Sequence, residues 1–154
     1  MNLHDVAARI EPGMRVGIDG VMGAGKTVFA DALAALVPAT RLSSDEFHRP
    51  AEVRVDYYTD AFDLAAFRAA VEAVEGTVIA DGIFIHKPEI RDVWDLSVWL
   101  EVDRATARAR ALTRDASWME DAVSRYDRRY GPAEDRYLDE IDPASLADIV
   151  VDTP

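Results

Sequence analysis

"RVGIDGVMGAGKTVFADALAALV", running from Arg15 to Val37, is the stretch whose reading decides the fold. It opens on a short apolar run and closes on a helical stripe of Val28, Phe29, Ala32, Leu33, Leu36 and Val37, ended by Pro38. Between the two, Gly20-Val21-Met22-Gly23-Ala24-Gly25-Lys26-Thr27 matches G-x-x-x-x-G-K-[ST] without a mismatch. A strand before and a helix after are the context that gives this pattern its meaning. Gly20, Gly23 and Gly25 let backbone N–H groups turn inward onto phosphate oxygens. The positive end of the following helix adds to that field. In such a loop the lysine, here Lys26, reaches the β and γ phosphates, and the hydroxyl of Thr27 ligates Mg²⁺. The expected nucleotide contacts run from Gly20 through Val28, with ATP and Mg²⁺ as cofactors.

Outward from this loop, strands and helices alternate. Leu3, Val6, Ala7 and Ile10 have helical spacing and stop before Pro12-Gly13. Strands are expected at Met14–Asp19, Thr40–Ser44, Thr77–Gly82, Leu96–Val102 and Ala147–Asp152. Asp63 caps a helix carrying Leu64, Phe67, Val71 and Val74 on one face, with Gly76 at its end. Another helix begins at Asp103 and runs to about Asp115, and Ser117 to Glu120 reads as a capping box opening the next. The strands read as continuous apolar runs, which implies a parallel sheet covered on both faces. Ligands of such sheets sit at the carboxyl ends of the strands. The glycine loop, Asp45, Asp81 and Asp103 all fall there.

Length and composition narrow the function. A chain of 154 residues suffices for one domain, and 1–154 is read as one. No apolar run is long enough for a membrane span, and no basic-then-apolar leader opens the chain, so a cytoplasmic protein is expected. There are no cysteines, and His4, His48 and His86 are too scattered for a zinc motif. A net charge of −12 repels nucleic-acid backbones, so no nucleic-acid partner is expected. Against that acidity, arginines crowd the stretch from Arg104 to Arg136. They suit an anion, or salt bridges along helix faces.

Three further features carry chemistry. Asp81 ends an apolar strand, where a carboxylate serves as the Mg²⁺ partner of a phosphate loop. In "SSDEFHRP", Asp45 follows the second strand. There it either orients and deprotonates an acceptor hydroxyl or belongs to an Asp-Glu helix N-terminus. Arg110 and Arg114, at i and i+4, share a helix face. That face either meets charge on a transferring phosphoryl group or is simply solvated.

Taken together, these stretches resemble the uridine kinase and phosphoribulokinase branch of P-loop kinases, from about Arg15 to Asp152. "DGVMGAGKTVFADALA" looks like the family's phosphate loop and first helix, and "DAFDLAAF" like its acceptor-side segment. "VIADGIFIHKPEIRDVWDLSVWLEVD" is the most specific match, with Arg91 and Asp92 on the family's Arg-Asp pair. "RARALTRD" resembles the start of the lid, and "ADIVVD" the last strand, which borders the adenine pocket. The resemblance implies a P-loop NTPase fold: an α/β, three-layer α/β/α sandwich with a five-stranded parallel sheet and a short lid at about 104–130. It also places Asp45 as the base and Arg110 and Arg114 on the lid arginine positions.

The chain departs from the family pattern in places. "VDYYTDAFD" replaces Asn-[Phe/Tyr]-Asp-His-Pro before Ala-Phe-Asp, which puts Tyr57 where a ribose-binding Asp is expected and Asp56 one residue off. Asp81 replaces a glutamate, and only "ASWMED" follows Arg114-Asp115. The implied activity is transfer of the γ-phosphoryl group of ATP to a hydroxyl of a small molecule such as uridine or cytidine. Nicotinamide riboside, pantothenate or a sugar are the alternative acceptors. His48, Tyr57, Tyr58 and Phe84 are the expected acceptor wall, with Arg49, His86 and Lys87 at its edge. A nucleotide switch or ATPase acting on a protein is the other class, but the chain has no Asn after Asn2 and no Gln to read guanine or place water. The sequence leaves a homo-oligomer open.

Overall fold

The computed structural model describes residues 1–50, 53, 56–116, 118 and 121–153. Ser117 and Glu120, the two ends of the expected capping box, lie outside them.

The first helix, α1 (Leu3–Ala8), starts where Asn2 and Asp5 exchange backbone and side-chain hydrogen bonds. It is followed by β1 (Arg15–Asp19), α2 (Lys26–Leu36), β2 (Thr40–Ser43), α3 (Tyr57–Asp60) and α4 (Leu64–Ala73). Next come β3 (Val78–Asp81), β4 (Leu96–Glu101) and α5 (Arg104–Asp115). Then α6 (Ala122–Arg125) continues through a π-helical turn (Tyr126–Tyr130) into α7 (Gly131–Glu140), and α8 (Pro143–Leu146) precedes β5 (Ile149–Asp152). The five strands form one sheet in the order β2-β3-β1-β4-β5, parallel throughout.

Both faces of this sheet are covered, because residues along a strand alternate sides. Val16, Ile18 and Ile79 join one core with Val6 of α1 and with Ala30 and Leu33 of α2. Val78 and Ala80 point the other way, onto Phe67 and Val71 of α4. Gly17 lies on that second side under Trp94: a Cβ there would stand 2.6 Å from the indole. The edge strands are less fully covered: in β5 Val150 is exposed between buried Ile149 and Val151, and no residue of β2 is fully buried.

Two local expectations are corrected. Val28 and Leu36 are exposed, so the buried stripe of α2 is narrower than its apolar spacing suggests. The first turn of α2 overhangs an open cavity, and Val28 faces that cavity instead of the core. The helix α4 ends at Ala73 on an extended Val74, and Gly76, at φ +88°, serves the turn that follows.

The register sets up the site. Asp81 sits level with Ile18 on one side and Ser43 on the other. The carboxyl ends of β1, β2 and β3 therefore finish side by side.

Candidate active site

The loop from Gly20 to Gly25 leaves β1 and enters α2 through Gly25, whose φ of +90° suits only glycine. Gly23 has φ +80°, and a Cβ on it would lie 2.0 Å from the carbonyl oxygen of Ala107. The loop thus rests its back directly on α5. At its root, Gly20 N–H donates to Asp19 Oδ1 at 2.8 Å, and Ala24 N–H donates to the Val21 carbonyl at 3.1 Å.

Lys26 folds over the loop, and its Nζ donates to the Val21 carbonyl at 3.0 Å. Burial pushes its ammonium pKa down, while Asp19, Glu134, Asp81 and Asp45 pull the other way. Thr27 Oγ1 donates to Asp81 Oδ2 at 3.2 Å. Asp81 is buried, and its other oxygen accepts from Arg41 at 2.9 Å. Arg41 is in turn fixed by Asp31 and by the carbonyls of Leu42 and Ile79. Thr27 and Asp81 together offer hard oxygen donors at the phosphate end of the loop. That set fits Mg²⁺, which takes few protein ligands and fills its sphere with phosphate oxygens and water. Among the described residues there is no cluster of three or more metal-binding side chains that would compete for it.

Asp45 lies in a single turn of 3₁₀-helix, Ser44–Phe47. The capping work at this turn is done by its neighbours. Ser43 Oγ accepts from Asp45 N–H at 3.3 Å, and Glu46 Oε2 accepts from Ser43 N–H at 3.0 Å. The carboxylate of Asp45 is left for the cavity that it lines. Ser44, beside it, packs so closely on Gly82 that a Cβ there would meet Ser44 Oγ at 2.1 Å.

One cavity of about 1180 Å³ gathers most of the expected residues. Met22, Gly23, Gly25, Lys26, Thr27 and Val28 of the glycine loop and α2 line it, together with Asp81. Arg110 and Arg114 line it from α5, with Arg114 Nε on Asp115 at 3.0 Å. Asp45, His48, Tyr57 and Phe62 line the same cavity. His48 stacks on Phe62 at 4.7 Å, and Tyr57 sets its edge against Phe62 at 6.0 Å and Tyr130 at 4.8 Å. Burial pushes the Tyr57 phenol pKa up, so it stays a neutral hydrogen-bonding group.

Several expected wall residues lie elsewhere. His86 is buried beneath the loop, its Nδ1 2.7 Å from Asp19 Oδ2. Phe84 is core: the rings of Tyr57, Tyr58, Phe62 and Tyr137 surround it. Tyr58 packs between Phe84 and the guanidinium of Arg136, away from the cavity. Lys87 is buried and donates to the Tyr58 carbonyl. Arg49 holds backbone, donating from Nε to the Phe62 carbonyl at 3.2 Å. For Phe84, His86 and Lys87 the physical reason is shared. The segment after β3 turns back under the loop and is roofed by Tyr137 of α7, whose OH donates to Asp19 Oδ2 at 2.5 Å.

The structure also adds cavity residues that the sequence had not marked as its wall. Phe62, Ile83, Trp118, Arg125, Arg129 and Tyr130 line the cavity. Arg129 stands 5.7 Å over the Tyr57 ring. Arg41 and Glu134 act from behind the wall. A charged residue inside a short strand was the only sequence signal for Arg41, and for Glu134, within "GPAEDRY", there was none.

No family model matches the chain, and no curated protein matches it in sequence. Solved structures do. A possible uridine kinase from Bacillus stearothermophilus superposes with a TM-score of 0.75 at 17% identity, over 97% of each chain. A shikimate kinase from Acinetobacter baumannii, solved with shikimate, gives 0.62 at 19% identity over 92% of this chain and 84% of that one. A gluconokinase from Sinorhizobium meliloti gives 0.62 at 18% identity, over 92% and 85%. The parallel five-stranded sheet, the glycine loop at the end of β1 and these superpositions give the chain the fold of the P-loop kinases, in the form seen in the uridine kinase-like structure.

Proposed function

We propose that the protein is a kinase that moves the γ-phosphoryl group of MgATP to a hydroxyl of a small molecule, with a nucleoside such as uridine or cytidine as the first candidate. The observation that carries this reading is the shared cavity. The phosphate loop and Asp45 face the same space, and its volume of about 1180 Å³ exceeds the roughly 300–1,000 Å³ typical of a one-ligand pocket.

In this mechanism the loop amides and Lys26 hold the triphosphate. Thr27 and Asp81 would hold Mg²⁺, which would supply positive charge against the phosphate oxygens. Asp45 orients the acceptor hydroxyl and takes its proton as the oxygen attacks. Arg110 and Arg114 meet charge that grows on the transferring group. His48, Tyr57 and Phe62 hold a flat or ring-shaped acceptor by stacking and edge contacts.

One observation favours a second acceptor class. Where the family pattern calls for a ribose-binding carboxylate, the cavity has the Tyr57 phenol. Asp56 is occupied in capping α3, accepting from Tyr58 N–H at 3.1 Å. This supports a small acceptor other than a nucleoside, a sugar or a pantothenate-like alcohol among them. The superposed kinases named for uridine, shikimate and gluconate show how widely acceptors vary on this fold.

The test is ADP release with MgATP across nucleosides, ribosides, pantothenate, sugars and sugar acids. Acceptor-dependent ADP with a phosphorylated product is the expected result. ADP release that ignores every acceptor, and rises instead with a protein partner, would turn the reading to an ATPase or switch.

A further inference from the structure

Glu134 is a fully buried carboxylate outside the cavity wall, with 0% of its side chain exposed. It lies in the first turn of α7, and three elements converge on it. Oε1 accepts from Met22 N–H of the phosphate loop at 2.8 Å. Oε2 accepts from Tyr126 O–H at 2.8 Å and from Arg104, the first residue of α5, at 3.1 Å. Burial pushes the Glu134 pKa up, against the pull of Met22, Tyr126, Arg104 and Lys26.

Burying such a group is a poor way to gain stability, because a well-packed apolar side chain does as well or better. Its partners suggest what it does instead. Met22 is followed at once by Gly23, Gly25 and Lys26, which line the cavity. Tyr126 opens the π-helical turn that carries Arg129 and Tyr130 into the same cavity, directly after Arg125. A π-turn inserts a residue into a helix and so re-aims the side chains around it. The Tyr126 phenol, tied to Glu134, sets the rotation of that turn. The Met22 amide, tied to the other oxygen, sets the height of the loop.

We infer that Glu134 is a positioning residue, whose carboxylate fixes the spacing between the phosphate loop and the arginine-bearing turn across the nucleotide site. This rests on the proposed reading only in taking MgATP as the ligand of the loop. It needs no particular acceptor.

The test uses the full chain, with Tyr126→Phe, Glu134→Gln and the double variant. Tyr126→Phe removes one oxygen and leaves the loop's own bond intact, so it keeps the proposal open to test if Glu134→Gln fails to fold. The readouts are the affinity for a fluorescent ATP analogue with Mg²⁺, and the unfolding midpoint. Each single variant should weaken nucleotide binding by roughly three- to tenfold, the worth of one buried hydrogen bond. For Tyr126→Phe this is a loss at a residue that does not line the cavity. The double variant should bind no more weakly than Glu134→Gln alone, since both act through one link. Wild-type affinity in the single variants, with only the unfolding midpoint lowered, would make Glu134 a structural residue and overturn the inference. So would losses that multiply in the double variant. Nucleotide affinity is read without an acceptor, so a failed acceptor screen would sink the kinase reading and leave this result standing.

Discussion

Lys26 shows how a single side chain joins local conformation to chemistry. Its backbone begins α2, its ammonium folds onto the Val21 carbonyl, and burial lowers its pKa against the pull of four carboxylates. Lys26→Ala removes no core packing. The fold should stay intact, with circular dichroism and unfolding midpoint near wild type, while phosphoryl transfer falls on the order of 10² or more. An active variant with normal nucleotide affinity would contradict the role given to the loop. Gly23 is the opposite case, a residue defined by what it lacks. Gly23→Ala places a methyl 2.0 Å from the Ala107 carbonyl at a φ of +80°. Left-handed backbone and overpacking together should cost about 2–4 kcal/mol, readable as a lowered denaturation midpoint. A midpoint equal to wild type would mean that α5 yields freely. At this scale the glycine loop was plain from the sequence because its motif residues stand at fixed spacing, with Gly23 and Gly25 answering to a backbone requirement. His86 and Phe84 were not. A histidine and an aromatic beside a strand end look alike whether they face a ligand or a core, and only the roof supplied by Tyr137 decides between them.

Among the elements, α5 carries the sharpest functional claim. It begins at an Asp103 cap that accepts from Thr106 N–H at 3.0 Å and presents Arg110 and Arg114 to the cavity one turn apart. If they meet charge that builds in the transition state, Arg110→Ala and Arg114→Ala should each lower kcat by on the order of 10², and more than they raise KM for ATP. Steady-state kinetics over a range of ATP concentrations would check this. An unchanged kcat in both variants would return the two to a solvated face. Most elements were legible beforehand. The strands and α2, α4 and α5 announce themselves by apolar runs, by Asp63 and Asp103 as caps, and by periodicity. Between Ala122 and Leu146 only a helix opening after Ser117 to Glu120 was legible. There α6, a π-turn and α7 run on as one helical path through Gly131-Pro132, a pair that reads in sequence as a break. The residues that tie this path to the phosphate loop, Tyr126, Glu134 and Tyr137, match no motif.

For the molecule as a whole, the sheet lines up three strand ends and the helices around it supply the charges. Stability follows from that arrangement in a way that pH can read. Burial holds the Glu134 pKa above its ordinary value of 4.5. The folded state therefore favours its protonated form. Its contribution to stability is complete below that ordinary value and is lost as pH rises through the folded-state pKa. The stability of wild type minus that of Glu134→Gln should thus fall as pH is raised from about 4 toward neutrality. Chemical denaturation at several pH values would measure it, and a flat difference would show that the carboxyl titrates alike in the folded and unfolded chain.

The central claim is that one cavity brings MgATP and an acceptor hydroxyl together over Asp45. Asp45→Asn keeps the size of the side chain and cannot take a proton. The most direct measurement follows ADP and phosphorylated acceptor side by side in wild type and Asp45→Asn, with the best acceptor from the screen. Acceptor phosphorylation should fall by about 10²- to 10⁴-fold, the range for loss of a positioned base, while MgATP affinity and slow background hydrolysis persist. Unchanged acceptor turnover, or loss of nucleotide binding in its place, would contradict the account at its central residue.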